Sequence, residues 1–383
     1  MTPKPIQVCL QSRHIEARGG LEKWARRIAE GFTKRGAHVH LLTSDEHVKS
    51  PVHPLIHTHT LSTSRLFSHR RMKQFDRLCK KWQKTHNADI VFGIDRTSDQ
   101  THIRAGNGVH AAYLEQRQKH ENYTPLKAAL NPLNKAILEI EKKAFENPQL
   151  KVLFTNSYMV KNEVLKHYNV SPDTIEVIHN GLEWNEMRGD FSTWVEKKTT
   201  VAKHLGLDPS HFHFLFVGNG YERKGLTLLL KAMQLLTQSD VHLSVVGKDR
   251  NIESFISLAK DLGLSEKVSF FGASQNIRPF YQIADALVIP SIYDPFANVT
   301  VEALGMGLFI VSSKSNGGYE VLREENGSII EDLKSLDAIH ASLQTALMHP
   351  KTWVRSQTIR SGVKHLDLSN QLESLIDISL ERA

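Results

Sequence analysis

The run Phe214-Leu-Phe-Val-Gly218-Asn-Gly220-Tyr-Glu-Arg223-Lys224-Gly225-Leu226 passes from an apolar strand through a Gly-rich turn into an apolar helix, Leu226 to Leu236. Strand, tight turn and helix in that order open a doubly wound α/β unit. The turn places two adjacent cations, Arg223 and Lys224, beside the free amides of a helix start. A guanidinium grips two oxygens at once and an ammonium acts as a point charge, so with Gly218 the turn suits a diphosphate. A solvated basic loop is the plainer alternative.

Outward from this run, β-type segments alternate with amphipathic helical stretches along nearly the whole chain. The strands read as Ile6 to Leu10, His38 to Thr43, Asp89 to Ile94 and Val152 to Thr155, then Phe214 to Val217, Leu243 to Val246, Val268 to Phe271, Ala286 to Pro290 and Phe309 to Val311. Such alternation predicts parallel sheets covered on both faces. A chain of 383 residues exceeds what a single core usually supports. The polar stretch from Glu183 to His211 shows no strand pattern, so the expected division is an N-terminal Rossmann-like domain over 1–190 and a C-terminal one over 191–366. Helical periodicity from Trp353 to His365 and from Ser369 to Leu380 supplies terminal helices, and the segment 367–383 is a candidate to pack back onto the first domain.

The formal charge of +7 implies an anionic substrate or partner. No apolar stretch approaches the ~20 residues of a membrane-spanning helix. The first residues lack a signal-peptide pattern, from which a cytoplasmic location is expected. With only two cysteines, Cys9 and Cys79, in segments that read as buried, neither a disulfide framework nor a cysteine-based zinc site is expected.

Two further constellations carry chemistry. Gly19 and Gly20 precede a helix bearing Leu21, Trp24, Ala25, Ile28, Ala29 and Phe32. Paired glycines there let backbone amides approach an anion, although a simple strand-to-helix turn reads the same way. The spacing is not Gly-x-Gly-x-x-Gly, and where such folds want an acid ending the second strand this chain has Thr43-Ser44-Asp45, with the acid two residues past the strand's last residue, which disfavours a nicotinamide enzyme. The second is Pro290-Ser-Ile-Tyr-Asp294-Pro-Phe-Ala-Asn298-Val299-Thr-Val-Glu302-Ala-Leu-Gly305. Pro295 keeps Asp294 out of the helix, Asn298 suits an N-cap, and Glu302 lies within the helix. The amides of Ala297 to Thr300 then form an anion hole between two carboxylates.

In order, the Gly19-Gly20 loop, Asn180-Gly181, Gly218 with Arg223-Lys224-Gly225, the Asp294 to Glu302 element and Gly317-Gly318-Tyr319-Glu320 resemble the retaining GT-B glycosyltransferases of family 4. Arg104-Ala-Gly-Asn-Gly-Val-His110, with Asp294-Pro-Phe-Ala-Asn-Val, looks closest to the lipopolysaccharide-core glucosyltransferases. The resemblance implies two facing Rossmann-like domains with the active cleft between them and a nucleotide-sugar donor, UDP-glucose by analogy. It further implies that Glu302 holds the ribose hydroxyls, that the acid at 294 contacts the donor sugar, and that His110 bonds the sugar or a phosphate. The family pattern is Glu, seven residues, Glu; this chain has Asp294 at the first position. Retention by front-face attack is implied, with Arg223 and Lys224 stabilising the departing diphosphate. No Asp-x-Asp element follows a strand, and those two cations can do a metal's electrostatic work, so no metal is expected.

From Arg65 to Lys84 eight cations face a single acid, Asp76, with Met72, Phe75, Cys79 and Trp82 on one helical face. A helix over 65–84 could lie on an anionic membrane with a glycolipid or oligosaccharide acceptor in reach, or pack its apolar face inward and leave the cations solvated. No nucleic-acid-binding fold accompanies the charge, so nucleic acid is not an expected partner. The rival readings are a phospholipid-directed mannosyltransferase, a nucleotide-sugar epimerase, and a non-catalytic binding protein of the same architecture.

Overall fold

The structure is a computed structural model, and it describes residues 4–15, 20–46, 48, 53–64, 67–121 and 123–383. The chain forms two compact units, Met1–His179 with Ser369–Ala383, and Asn180–Leu368.

In the first unit, helices α1 to α6 intersperse the strands β1 (Gln7–Gln11), β2 (His38–Thr43), β3 (Ile56–Thr60), β4 (Ile90–Gly93), β5 (His102–Arg104), β6 (Val152–Thr155) and β7 (Ile175–Val177). All pair in parallel, in the order β3-β2-β1-β4-β5-β6-β7. The helices are α1 (Gly20–Lys34), α2 (Ser68–Gln83), α3 (His110–His120), α4 (Pro125–Leu130), α5 (Pro132–Phe145) and α6 (Tyr158–His167). The sequence reading missed β3, β5 and β7. β3 is an edge strand reading Ile-His-Thr-His-Thr, with its polar residues tolerated because one side of the strand has no neighbour; β5 and β7 are three residues each.

Met72, Phe75, Cys79 and Trp82 on α2 are buried. Phe75, Cys79 and Trp82 pack on Cys9, Leu42 and Val91 of the sheet, and Met72 packs on α5. The apolar face of this helix is therefore spent inside the unit, the second of the two alternatives that the sequence left open. Cys9 and Cys79 are buried free thiols, both raised in pKa by burial, Cys9 to about 12.

The second unit repeats the pattern: β8 (Phe212–Val217), β9 (Val241–Val246), β10 (Val268–Gly272), β11 (Ala286–Ile289), β12 (Phe309–Ser313) and β13 (Gly327–Ile330) run parallel in the order β10-β9-β8-β11-β12-β13. Its helices are α7 (Arg188–Ser192), α8 (Trp194–His204), α9 (Leu226–Gln234), α10 (Ile252–Asp261), α11 (Arg278–Ile283), α12 (Asn298–Gly305), α13 (Leu336–Leu347) and α14 (Trp353–Gly362). The last helix, α15 (Leu368–Glu381), begins in this unit and runs in the first.

Alternate strand residues serve opposite faces. Phe214, Phe216, Leu243, Val245, Val288 and Val311 join the core under α9, α10 and α13, while Leu215, Val246, Leu287, Ile289 and Ile310 join the one under α11, α12 and α14. The second core also takes Phe191 and Trp194. The stretch after Glu183 is thus part of the second unit rather than a link. The units part between His179 and Asn180, ahead of the boundary expected at 190, because a polar outer face on α8 masks these few buried anchors.

Candidate active site

In an open α/β sheet the strand order reverses at one point, and the loops leaving the two strands there diverge to leave a crevice at their carboxyl ends. In the second unit that point lies between β8 and β11, which pair directly. The loop after β8 carries Gly218, Arg223 and Lys224; the loop after β11 carries Asp294. The sheet order alone brings these two distant segments together.

Asp294 is 7% exposed, and its Oδ2 accepts from both Lys224 Nζ and Arg223 Nη1, the latter at 3.2 Å. Arg223 Nη1 also donates to the Tyr293 carbonyl at 2.9 Å. Burial acts to raise the Asp294 pKa, yet the charges of Lys224 and Arg223 outweigh it and hold the carboxyl below its usual range. Asp294 Oδ1 accepts no hydrogen bond from the described residues. Gly225 caps α9 at φ 80°, and a Cβ there would overlap the Pro290 carbonyl oxygen. Only glycine lets the two loops close on each other at this point. Lys224 lies along Gly218, where a Cβ would come 3.1 Å from Lys224 Cε.

Asn316 fixes the far side of the loop. Its Oδ1 accepts from the amides of Ala297 (2.9 Å) and Gly318 (3.2 Å), and its Nδ2 donates to Ser312 Oγ (2.9 Å). Backbone bonds from Asp294 N to Ser315 O and from Gly317 N to Asp294 O complete the clamp. Two expectations change here. Asn298 is the first helical residue of α12 rather than its cap; Ala297 is the cap and supplies no side-chain bond. Asn298 Oδ1 instead accepts from Asn180 Nδ2 at 2.7 Å, a partner remote in sequence that outcompetes local capping. Of the four amides expected to form an anion hole, Ala297 N is taken by Asn316, and Thr300 N by the Ala297 carbonyl. The amides of Asn298 and Val299 make no hydrogen bond among the described residues, so the anion site narrows to these two.

Glu302 lies one helical turn on from Asn298 and Val299, with Oε2 accepting from Tyr281 Oη at 2.8 Å. Tyr281 is buried, and its pKa is raised well above the usual value by burial and then by the Glu302 charge. Tyr281 and Asn316 were not among the residues singled out from sequence, and Asn180 entered there only through the Asn180-Gly181 pair of the family resemblance: each acts through a long-range pairing that no local pattern announces.

In the first unit, Gly20 opens α1 and Gly19 lies outside the described residues. His110 begins α3, buried, with its amide on Glu141 Oε2 (3.0 Å) and its Nε2 on Asn134 Oδ1 (3.0 Å). Burial, then Arg96, holds its pKa at about 4, so the ring is neutral at pH 7. Glu141 pairs in turn with Arg96 at 3.1 Å and Tyr168 Oη at 3.0 Å. The imidazole is held by a buried polar network and presents no cation.

A buried carboxylate binding two fixed cations, two helix-start amides without a partner among the described residues and a second carboxylate one turn on thus lie together at the switch point of the second sheet, an arrangement suited to an anionic ligand. Known proteins match this chain along most of its length. Residues 18–184 match Glycosyltransferase Family 4, and residues 197–359 match Glycosyl transferases group 1. An uncharacterized glycosyltransferase of Methanocaldococcus jannaschii is 27% identical over 338 residues, 84% of this chain and 83% of the relative. The lipopolysaccharide glucosyltransferase WaaG of Escherichia coli is 23% identical over 374 residues, 94% and 95% of the two chains. The crystal structure of WaaG aligns with a TM-score of 0.79 at 21% identity, over 97% of this chain and 99% of that one. Anabaena HepE, solved with UDP and glucose, aligns at 0.68 and 15% identity, over 98% and 99%. Matched along both halves in order and sharing the two-sheet fold, the chain belongs to the family 4 glycosyltransferases, group 1, of the GT-B fold.

Proposed function

We propose that this glycosyltransferase moves glucose from UDP-glucose onto a lipopolysaccharide-core or related glycan acceptor, with retention of configuration and without a metal ion. The observation that carries the reading is the fixing of Arg223 and Lys224 by one oxygen of Asp294 at the switch point of the second sheet. The sugar and acceptor classes draw support from the names of the relatives: WaaG is a lipopolysaccharide glucosyltransferase, a Rhizobium meliloti relative named as a lipopolysaccharide core biosynthesis glycosyltransferase is 34% identical over 116 residues, and HepE was solved with UDP-glucose.

In the proposed reaction the C1–O bond of the donor breaks and its electron pair passes to the β-phosphate oxygen. Arg223, Lys224 and the Asn298 and Val299 amides stabilise that charge, set in place before it develops. The acceptor hydroxyl bonds to C1 on the face the diphosphate leaves and gives its proton to a diphosphate oxygen. Asp294 keeps Oδ2 on the cations, and Oδ1 takes a sugar hydroxyl; Glu302 takes the ribose.

A membrane-borne acceptor at the inner face of the cytoplasmic membrane fits the exposed Arg70, Arg77, Lys81 and Lys84 of α2 and its flank. No helix of the described residues is long and apolar enough to cross a membrane.

Calorimetric titration with UDP, GDP and ADP, each with and without EDTA, tests the reading. UDP alone should bind tightly, EDTA should change nothing, and Lys224→Ala should weaken UDP by about 100-fold, the loss of a charge-assisted contact in a buried site. Tight binding of another base, or an unaltered Lys224→Ala, rejects the donor assignment; a requirement for metal rejects the electrostatic role given to the cations.

A further inference from the structure

The second unit holds an open pocket of about 750 Å³ that shares no residue with the proposed donor site. Its floor is Trp184, Phe191 and Arg360; its rim includes Arg188, Trp353 and Gln357. The size lies within the range of small-molecule sites.

The sequence builds this pocket at the start of α14. The Thr352 hydroxyl caps the helix through the Arg355 amide, which puts Trp353 in the first turn, 39% exposed. Its ring stacks on Phe191 at 5.5 Å with a 26° tilt, so a broad aromatic surface is held still. Arg360 stands two turns on. Its guanidinium lies 4.0 Å from the Trp184 ring and 4.8 Å from Phe191, and it donates to the carbonyls of Gly305 and Trp184. These ties fix the cation without neutralising it, since no carboxylate lines the pocket. Arg188 on α7 approaches closely enough for its charge to add to burial in lowering the Arg360 pKa.

Two guanidiniums converging where no acid answers them favour an anion between them. A rigid aromatic face beside them favours the C–H face of a pyranose, whose hydroxyls the exposed amides of Gln357 and Asn185 can meet. We propose that this pocket binds an anionic pyranose, with its ring on Trp353 and its phosphate or carboxylate on Arg188 and Arg360. If the acceptor reading above holds, the occupant is a phosphorylated or acidic sugar of the acceptor glycan, bound by the second unit apart from the reacting hydroxyl. The site itself does not depend on that reading.

Ligand-observed NMR on the full chain, with the donor site filled by UDP, compares glucose 6-phosphate, glucose, inorganic phosphate and AMP. Glucose 6-phosphate should bind about tenfold tighter than either glucose or phosphate, because only it engages ring and charge together. Trp353→Ala and the surface change Arg188→Glu should each weaken it by about tenfold, the second without any effect on folding. Lys224→Ala, tested without UDP, should leave it unchanged while losing UDP, so failure of the donor assignment and failure of this one read out separately. A phosphorylated disaccharide that binds tighter still assigns the pocket to a glycan, and equal affinity assigns it to a free sugar phosphate. Affinity for glucose 6-phosphate no better than for phosphate, stronger binding of AMP, or loss in Lys224→Ala with retention in Trp353→Ala overturns the proposal.

Discussion

In the proposed function Glu302 holds the ribose, which requires its oxygens at a fixed angle, yet its side chain is long, rotatable and only partly buried. Tyr281, locked in the core, donates to Oε2 and sets that angle from behind. Tyr281→Phe keeps the ring and its packing while removing the donor. We expect the donor KM to rise about tenfold with kcat within about twofold, the pattern of lost ground-state binding. A donor lacking the ribose hydroxyls should bind the wild type and the variant equally. A fall in kcat with KM unchanged would instead place Tyr281 in the chemical step. At this scale the sequence showed the charged residues and hid their supports. Arg223, Lys224, Asp294 and Glu302 stand out because their types carry chemistry in a Gly- and Pro-punctuated context. Tyr281 and Asn316 look ordinary until the fold brings distant segments together, and Asn180 drew notice only through the family resemblance, not for its bond to Asn298. The cap assigned to Asn298 failed for the same reason, since its side chain answers Asn180.

Helix α2 sorts its residues by face. Its apolar stripe is consumed by the sheet and by α5, Asp76 is bonded to Ser98, and Lys73 pairs with Glu139 at 2.6 Å. Arg77 and Lys81, with Lys84 just past the helix end, are exposed. Any membrane contact through this element is therefore electrostatic and superficial. Replacing Arg77, Lys81 and Lys84 by Glu should cut binding to phosphatidylglycerol vesicles by about 100-fold or more, since each cation near an anionic surface contributes about 1 kcal/mol. Thermal stability and turnover of a soluble acceptor should not change, and 0.5 M salt should mimic the substitutions. Vesicle binding that survives both excludes α2 as the contact. Elements were legible where apolar runs were long. The strands around Phe214, Leu243 and Phe309 announce themselves, each flanked by a helix of clear period. β13, Gly-Ser-Ile-Ile, and the histidine-bearing edge strand β3 do not, because edge strands need less apolar surface and leave a weaker pattern.

Across the whole molecule, 21 histidines sit in a chain already carrying +7, and several of them are buried as neutral rings. Burial holds His102, His110 and His242 at about 4, and it lowers His40, His59, His167 and His213 as well. An unfolded histidine titrates near 6.5. Above that pH neither state holds the proton, and stability is at its plateau. As the pH falls from 6.5 toward 4 the unfolded chain takes up protons that the folded chain refuses, so stability declines; below 4 these three rings contribute no further slope. Glu141, whose pKa burial raises, works in the opposite sense by gaining its proton first in the folded unit. His102 and His110 lie in the first unit, and His242 in the second, with its Nε2 on Ser269 Oγ at 3.0 Å. Each buried ring should cost about 1 kcal/mol between pH 6.5 and 5.5. Urea unfolding at the two pH values should therefore show the midpoint falling for both units, and His242→Gln should flatten the response of the second unit alone. A midpoint that holds steady or rises on acidification would mean that these imidazoles are protonated in the folded protein, and the neutral network assigned to His110 would fall with it.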